Sequence, residues 1–121
     1  MINKTVKLYG LPNCDGTQAV IKWLEKKGFE ISRHNYKTDG ISEEKLLVWS
    51  KRIGWEKLLN KRSTTWRSLS KEVQDTITDE MAAIKIMKEN TSLVKRPIIE
   101  YGKELLVGFD QKILSNTFNQ I

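Results

Sequence analysis

The stretch that decides the fold is residues 5–28, TVKLYGLPNCDGTQAVIKWLEKKG. An apolar, strand-like run over residues 5–9 is followed by a turn at residues 10–12 and by an amphipathic helix that ends at Gly28. The chain's only cysteine, Cys14, falls on the turn before this helix. The unpaired N–H groups at a helix start stabilise an anion and can lower a cysteine pKa from about 8.5 to roughly 3.5–7.5. Position alone leaves two interpretations open, a reactive thiolate and a buried, inert thiol.

Length and composition predict one domain in a reducing compartment. The chain has 121 residues, of which 39% are hydrophobic, with four tryptophans and three phenylalanines to build a core. A single cysteine cannot form an internal disulfide, and we find neither a membrane-spanning apolar segment nor a secretory signal. We therefore expect a cytoplasmic monomer with no membrane partner.

The charge balance favours anionic partners without identifying them. Twenty-one Lys and Arg residues against 15 Asp and Glu residues leave a net charge of +6. The basic residues occur in scattered pairs that acidic residues interrupt, whereas a nucleic-acid surface is normally more clustered. We expect no direct binding of nucleic acid.

The rest of the chain predicts a helical segment between strands. Residues 29–36 alternate in polarity and predict a second strand, so the chain begins β-α-β. A helical insertion is predicted over about residues 42–90, with a loop over residues 58–66 that presents Arg62. Residues 98–101 and 104–107 predict a β-hairpin around Gly102-Lys103, and Asp110 can cap a last helix in which Ile113, Leu114 and Phe118 face inward.

This element order describes an α/β protein with the layout of the thioredoxin fold: β-α-β, a helical insertion, then β-β-α with a mixed sheet. We predict that residues 1–121 form a single such domain. In the thioredoxin fold an X-Pro bond at the start of the third strand is cis and lies beside the thiol, and Pro97 occupies that position here. The alternative for Pro97 is the start of an edge strand.

Four segments resemble the family that contains the glutaredoxin-dependent arsenate reductases (ArsC), the Spx transcriptional regulators and the YffB proteins. They are residues 9–15, residues 60–66 (NKRSTTW), residues 95–99 (KRPII) and residues 107–109 (VGF). The Thr-Thr-Trp-Arg sequence and Gly108-Phe109 look most like the YffB branch.

The resemblance implies a set of site residues. Cys14 matches the family's redox cysteine, and Arg96 matches an arginine of the active groove, so both are candidate catalytic residues. Asn13, Thr17, Arg62 and Pro97 are the candidate substrate-binding residues.

Two of these assignments depend on further comparison within the family. Arg62 fits the Spx and YffB pattern, because the arsenate reductases carry their loop arginine about two positions earlier. Thr17 can donate its hydroxyl to the Cys14 thiolate, or can make only a local bond to the backbone.

The expected function is that of a thiol oxidoreductase with a single nucleophilic cysteine. The chain has no second cysteine to release a covalent intermediate, so an external thiol must do so, and glutathione or a glutaredoxin is the expected partner. Arsenate is a possible substrate. The chain lacks the third arginine of an arsenate site, however, which weakens the binding of that oxyanion.

The alternative is a non-enzymatic regulator that binds RNA polymerase, as Spx does. Trp49, Trp55 and Trp66 could form its docking surface, although core packing explains them more economically. We expect no bound cofactor. We also expect no metal site, because His34 is the only histidine and has no partner at a metal-ligand spacing.

Overall fold

The computed structural model describes residues 4–118, which form two compact units. Residues 4–35 and 96–118 build a sheet unit, and residues 36–95 build a helical unit. The elements in chain order are β1 (Thr5–Gly10), α1 (Asp15–Lys26), β2 (Glu30–Asn35), α2 (Tyr36–Asp39), α3 (Glu43–Ile53), α4 (Trp55–Leu58), α5 (Thr64–Ser68), α6 (Lys71–Asp75), α7 (Glu80–Glu89), a 3-10 helix (Thr91–Leu93), β3 (Ile98–Tyr101), β4 (Glu104–Val107) and α8 (Gln111–Phe118).

The sheet unit holds a four-stranded mixed sheet in the order β2-β1-β3-β4. β1 and β2 are parallel, since α1 carries the chain back between them, whereas β3 is antiparallel to both β1 and β4. The predicted α/β class, the mixed sheet and the thioredoxin-like order of elements are confirmed. The helical unit extends beyond the predicted insertion at both ends, and the single-domain organisation stays a prediction.

Apolar residues from β1, β3, α1 and α8, together with Phe29 before β2, form the core of the sheet unit. The inward positions of α1 recur at helical spacing, which buries one stripe of that helix against the sheet. The ring of Phe118 in α8 lies 5.1 Å from that of Phe29 and 5.2 Å from that of Tyr101, measured between centroids. The buried residues of this core are Val6, Leu8, Val20, Ile21, Leu24, Phe29, Ile99, Leu114 and Phe118.

The helical unit is built around the packing of α3 against α7. The side chain of Ser42 caps α3 by accepting the N–H of Lys45 at 3.1 Å. Ser50 donates its hydroxyl to Glu80 at 2.6 Å, and Lys51 pairs with the same carboxylate at 2.8 Å. Trp49 is completely buried, so core packing is the correct explanation for this tryptophan, whereas Trp55 and Trp66 are partly exposed.

Two predicted boundaries are wrong. β2 is shorter than residues 29–36, because the N–H of Phe29 bonds to the carbonyl of Leu24 and so closes the end of α1. The predicted loop over residues 58–66 is partly helical: α4 ends at Leu58 and α5 begins at Thr64. Ser63 starts α5 by accepting the N–H of Trp66 at 3.1 Å.

The C-terminal segment follows the prediction except at one position. Gly102 and Lys103 form the hairpin turn, and Asp110 accepts the N–H groups of Lys112 and Ile113 at 3.0 and 3.3 Å. Ile113, predicted to face inward, is 46% exposed. Since Leu114 and Phe118 already fill the inward stripe of this eight-residue helix, the position before them points elsewhere.

Candidate functional site

Cys14 is the N-cap residue of α1. Its backbone is extended, with φ −93° and ψ 123°, and its carbonyl accepts the first helical N–H bond from Gln18 at 3.0 Å. The turn is held by an N–H bond from Cys14 to Leu11 and by the Gln18 side chain, which donates to the carbonyl of Pro12 at 2.8 Å. Cys14 as a residue is half-buried.

The surroundings of the sulfur favour its anionic form. Burial alone raises the pKa of the Cys14 thiol, but the Thr17 hydroxyl, the Thr17 N–H, the positive charge of Arg96 and the Gly16 N–H together hold this pKa below its ordinary value. The two N–H groups belong to the first turn of α1, where no helical carbonyl is available to accept them. A lowered pKa enlarges the fraction of Cys14 that is thiolate, which is the nucleophilic form of cysteine.

The Thr17 side chain lies next to the Cys14 thiol. It is only 3% exposed, and within residues 4–118 its Oγ1 has no hydrogen bond that meets ordinary geometric limits. The contact with the neutral thiol therefore falls short of a complete hydrogen bond. A thiolate is a stronger acceptor than a thiol, so the hydroxyl is placed to bond to the sulfur once the proton has left.

Arg96 and Pro97 begin the segment that leads into β3, and the peptide bond between them is cis, as the family resemblance implies. A Cβ atom built on Gly16 would lie 3.7 Å from Cδ of Pro97 and 3.9 Å from Sγ of Cys14. Pro97 and the Cys14 sulfur therefore both lie close to Gly16. The carbonyl of Pro97 accepts the N–H of Gly108 at 2.8 Å, which ties this segment to the end of β4.

The remaining two candidate residues are both exposed. Asn13 lies on the turn before Cys14. Arg62 belongs to the helical unit, where it occupies a turn before α5, and its N–H donates to the side chain of Asn60 at 3.1 Å. The structure thus brings together Cys14, Thr17, Arg96 and Pro97 within the sheet unit, while the assignment of Arg62 to the substrate site stays a prediction.

His34 lies near the end of β2, as predicted, and packs against Tyr9 with 4.9 Å between ring centroids. It is not one of the groups that shift the pKa of Cys14. In the part of the chain that the structure describes, no group of three or more His, Cys, Asp or Glu residues could hold a metal ion. No helix among residues 4–118 is both long enough and apolar enough to cross a membrane.

A small cavity of about 100 Å³ opens beside the first turns of α1. Thr17 and Gln18 line it from the helix, and Gly10 and His34 line it from the ends of β1 and β2.

Two residues near Cys14, Gly16 and Gln18, were not identified as site residues from the sequence. Both could have been found from their spacing from Cys14. Gly16 lies where the start of a helix has an unpaired N–H group, and Gln18 lies where a side chain can reach back to the turn.

Comparisons with known proteins agree with this geometry. The model of the ArsC family matches residues 9–116. A curated uncharacterised protein of Haemophilus influenzae is 38% identical over 107 residues, which cover 88% of this chain and 93% of that protein. A global transcriptional regulator Spx of Streptococcus agalactiae is 28% identical over 108 residues, which cover 88% of this chain and 77% of the regulator.

Solved structures extend the similarity across nearly the whole chain. A YffB protein superposes with a TM-score of 0.87 at 34% identity, covering 92% of this chain and 96% of its own. An ArsC-related protein of Brucella melitensis superposes with a TM-score of 0.74 at 33% identity, covering 100% of this chain and 99% of its own. With a thiol at the start of α1, a cis-proline beside it and a family match that spans most of its length, the chain belongs to the ArsC family.

Proposed function

We propose that this protein is a thiol oxidoreductase in which the Cys14 thiolate is the nucleophile and glutathione supplies the electrons. The observation that carries the proposal is the convergence on one sulfur of a hydroxyl, two N–H groups and a guanidinium charge. An activated thiolate attacks a disulfide faster than a thiol does, because only the anion is nucleophilic.

The reaction runs in two balanced steps. The Cys14 thiolate attacks the glutathione sulfur of a mixed disulfide, forms a Cys14–glutathione disulfide and releases the substrate as a thiolate. A second glutathione thiolate then attacks the glutathione sulfur bound to Cys14, which restores the Cys14 thiolate and yields oxidised glutathione. Overall, one reduced glutathione is oxidised to the disulfide level and the substrate sulfur is reduced to a thiolate. The glutathione of the mixed disulfide leaves as the other half of oxidised glutathione, and no second cysteine of this chain is needed. A glutaredoxin thiol could replace glutathione in the second step.

Local groups support each role within the sheet unit. The charge of Arg96 stabilises the attacking thiolate, and a guanidinium also binds carboxylates such as those of glutathione. The Arg96 carbonyl oxygen and the Cys14 sulfur each lie 3.9 Å from a Cβ atom built on Gly16, so a backbone group of this segment is close to the thiol, where an extended peptide would bind. The related protein from Brucella melitensis is described as arsenate reductase-related, so arsenate is a second substrate to test. We expect slow arsenate turnover, because the third arginine expected near residues 107–109 is absent.

The test is to incubate the protein with oxidised glutathione and to locate the adduct by mass spectrometry. We expect a mixed disulfide on Cys14, none in Cys14→Ser, and catalytic reduction of a glutathione mixed disulfide by the native protein. Reduction of arsenate to arsenite with glutathione is assayed in parallel. A Cys14 pKa at or above about 8.5, together with no adduct, would refute the proposal.

A second candidate is binding to RNA polymerase. Two observations favour it: the 28% identity to Spx, and the exposed apolar side chains of Leu47, Val48 and Met81 on helices of the helical unit. Retention of purified RNA polymerase by the immobilised protein, lost in a Leu47→Ser/Val48→Ser variant, would support this candidate. We expect either activity to take place in the cytoplasm, with the protein acting as a monomer.

A further inference from the structure

Gly10, the last residue of β1, has a role that its backbone conformation does not explain. It is buried and lies opposite Asn35 in the parallel pairing of β1 with β2. Five glycines of the described chain have positive φ angles, and Gly10 is not among them. Any residue could therefore adopt its backbone angles, and the reason for a glycine must be the space that a side chain would occupy.

That space is filled by Thr17. A Cβ atom built on Gly10 would lie 2.7 Å from Oγ1 of Thr17, 3.2 Å from its Cγ2 and 3.5 Å from its Cβ. The first distance is far below van der Waals contact, so an alanine at position 10 forces the Thr17 side chain, or the helix that carries it, to move. The contact is specific to the hydroxyl and methyl groups of Thr17, because the distance to its Cβ is an ordinary one.

Thr17 has few ways to accommodate such a methyl group. It is 3% exposed, and the next inward positions of α1, Val20 and Ile21, are fixed in the core. A helical threonine has two preferred χ1 rotamers, in one of which the hydroxyl can bond back to a carbonyl of the preceding turn. Because Val20 and Ile21 hold the helix, which also carries Cys14 at its N-cap, we expect the side chain to rotate, and rotation moves Oγ1 away from the Cys14 sulfur.

We propose that Gly10 is a positioning residue of the thiol site: its missing side chain lets Thr17 pack against the end of β1 with its hydroxyl toward Cys14. This inference rests on the proposed function, because it assigns Gly10 a part in the stabilisation of the thiolate. Without this contact, Gly10 would have no role beyond ending β1. The three atoms nearest to a Cβ at position 10 all belong to Thr17, and this makes the role of Gly10 separable from a general structural one.

The test is a double-mutant cycle on the Cys14 pKa with Gly10→Ala, Thr17→Ala and the combined variant. The pKa is measured from thiolate ultraviolet absorbance against pH and from alkylation rates at a fixed pH below all the pKa values. We expect Gly10→Ala and Thr17→Ala each to raise the pKa and to slow alkylation by about two- to tenfold, the range for losing one hydrogen bond. The combined variant should match Thr17→Ala, because the two Thr17 atoms that lie too close to the added methyl group are then absent and the remaining Cβ atom, at 3.5 Å, is at an ordinary contact distance.

Stability alone should not reproduce this result. Ile99→Val, a truncation in the core on β3, serves as the destabilised control and should leave the Cys14 pKa unchanged. If Gly10→Ala does not fold, the combined variant should fold, since it removes the clash, and Thr17→Ala should still raise the pKa.

The inference and the proposed function fail in different ways. Three outcomes would each overturn the inference: an unshifted Cys14 pKa in folded Gly10→Ala, additive effects in the combined variant, or a combined variant that does not fold. In each case, a low Cys14 pKa in the native protein would leave the thiolate proposal standing. A native Cys14 pKa at the ordinary value would instead refute the proposed function itself.

Discussion

At the scale of single residues, the environment of Cys14 links protonation of its thiol to folding. Because the folded state holds this pKa below its ordinary value, the unfolded chain retains the proton over a pH range in which the folded chain has lost it. Stability should therefore rise with pH between the folded pKa and the unfolded value of about 8.5, and the gain is lost as pH falls through the folded pKa. The measurement is the free energy of unfolding at a series of pH values for the native protein minus that for Cys14→Ser. A difference that is flat or falls with pH would contradict the prediction.

The charge of Arg96 gives a second prediction at this scale. We expect Arg96→Ala to raise the Cys14 pKa, whereas Arg96→Lys should retain most of the effect. Because solvent reaches the site, an interaction of about 1 kcal/mol is reasonable, which corresponds to roughly fivefold in thiolate population below the pKa. Arg33→Ala, which removes an exposed arginine of β2 that has no part in this shift, is the matched control. Equal alkylation rates in Arg96→Ala and the control would disprove the assignment.

At the scale of elements, single polar side chains determine where the short helices begin. The Ser63 hydroxyl donates to the carbonyl of Asn60 at 2.9 Å and accepts the N–H of Trp66 at 3.1 Å, so it holds both the turn and the start of α5. We expect Ser63→Ala to lower the free energy of unfolding by about 1–2 kcal/mol. Ser68→Ala, at the exposed end of the same helix, should change it by less than about 0.5 kcal/mol. Denaturant titration of both variants makes the comparison, and equal losses would argue against a capping role.

A hydrogen bond between two side chains links the neighbouring strands β1 and β3. The buried hydroxyl of Tyr9 donates to the Glu100 carboxylate at 2.7 Å, and burial followed by this bond to a negative group raises the pKa of the phenol. Tyr9→Phe removes the donor while keeping the ring that packs on His34. We expect a loss of about 1–2 kcal/mol in the free energy of unfolding, with no change in the Cys14 pKa. Loss of cysteine reactivity in this variant would show that β1 transmits more to the site than the Gly10 contact.

The sequence predicted elements well where a long apolar pattern or a hairpin turn was present, and poorly among the short helices α4, α5 and α6. The stripe of α1 and the hairpin around Gly102 were recognised from period and turn residues. The short helix α5 was missed because Thr64 and Thr65 are poor helix formers and only the Ser63 cap indicates its start. The pairing of Cys14 with Arg96 and Pro97 came from family resemblance, since no local pattern brings together residues so far apart in the chain. The space that Gly10 provides is a three-dimensional contact that no periodicity predicts.

At the scale of the whole molecule, the two units raise the question of whether they unfold together. The helical unit comprises 60 residues, a size at which a core is marginal by itself, and the sheet unit must bring two distant chain segments together. These considerations favour the single domain predicted from the sequence, with one cooperative transition.

Leu24→Ala, a truncation in the core of the sheet unit, tests this coupling in a Trp23→Phe background, where all tryptophan fluorescence comes from the helical unit. We expect a loss of about 2–5 kcal/mol, typical of a buried leucine. In a single domain, the free energy of unfolding measured by fluorescence in the helical unit falls by as much as the free energy of unfolding measured by hydrogen exchange at the β1 amides. If the fluorescence midpoint stays at that of Trp23→Phe while the β1 amides lose protection, the units unfold separately, and the chain is then better described as two domains.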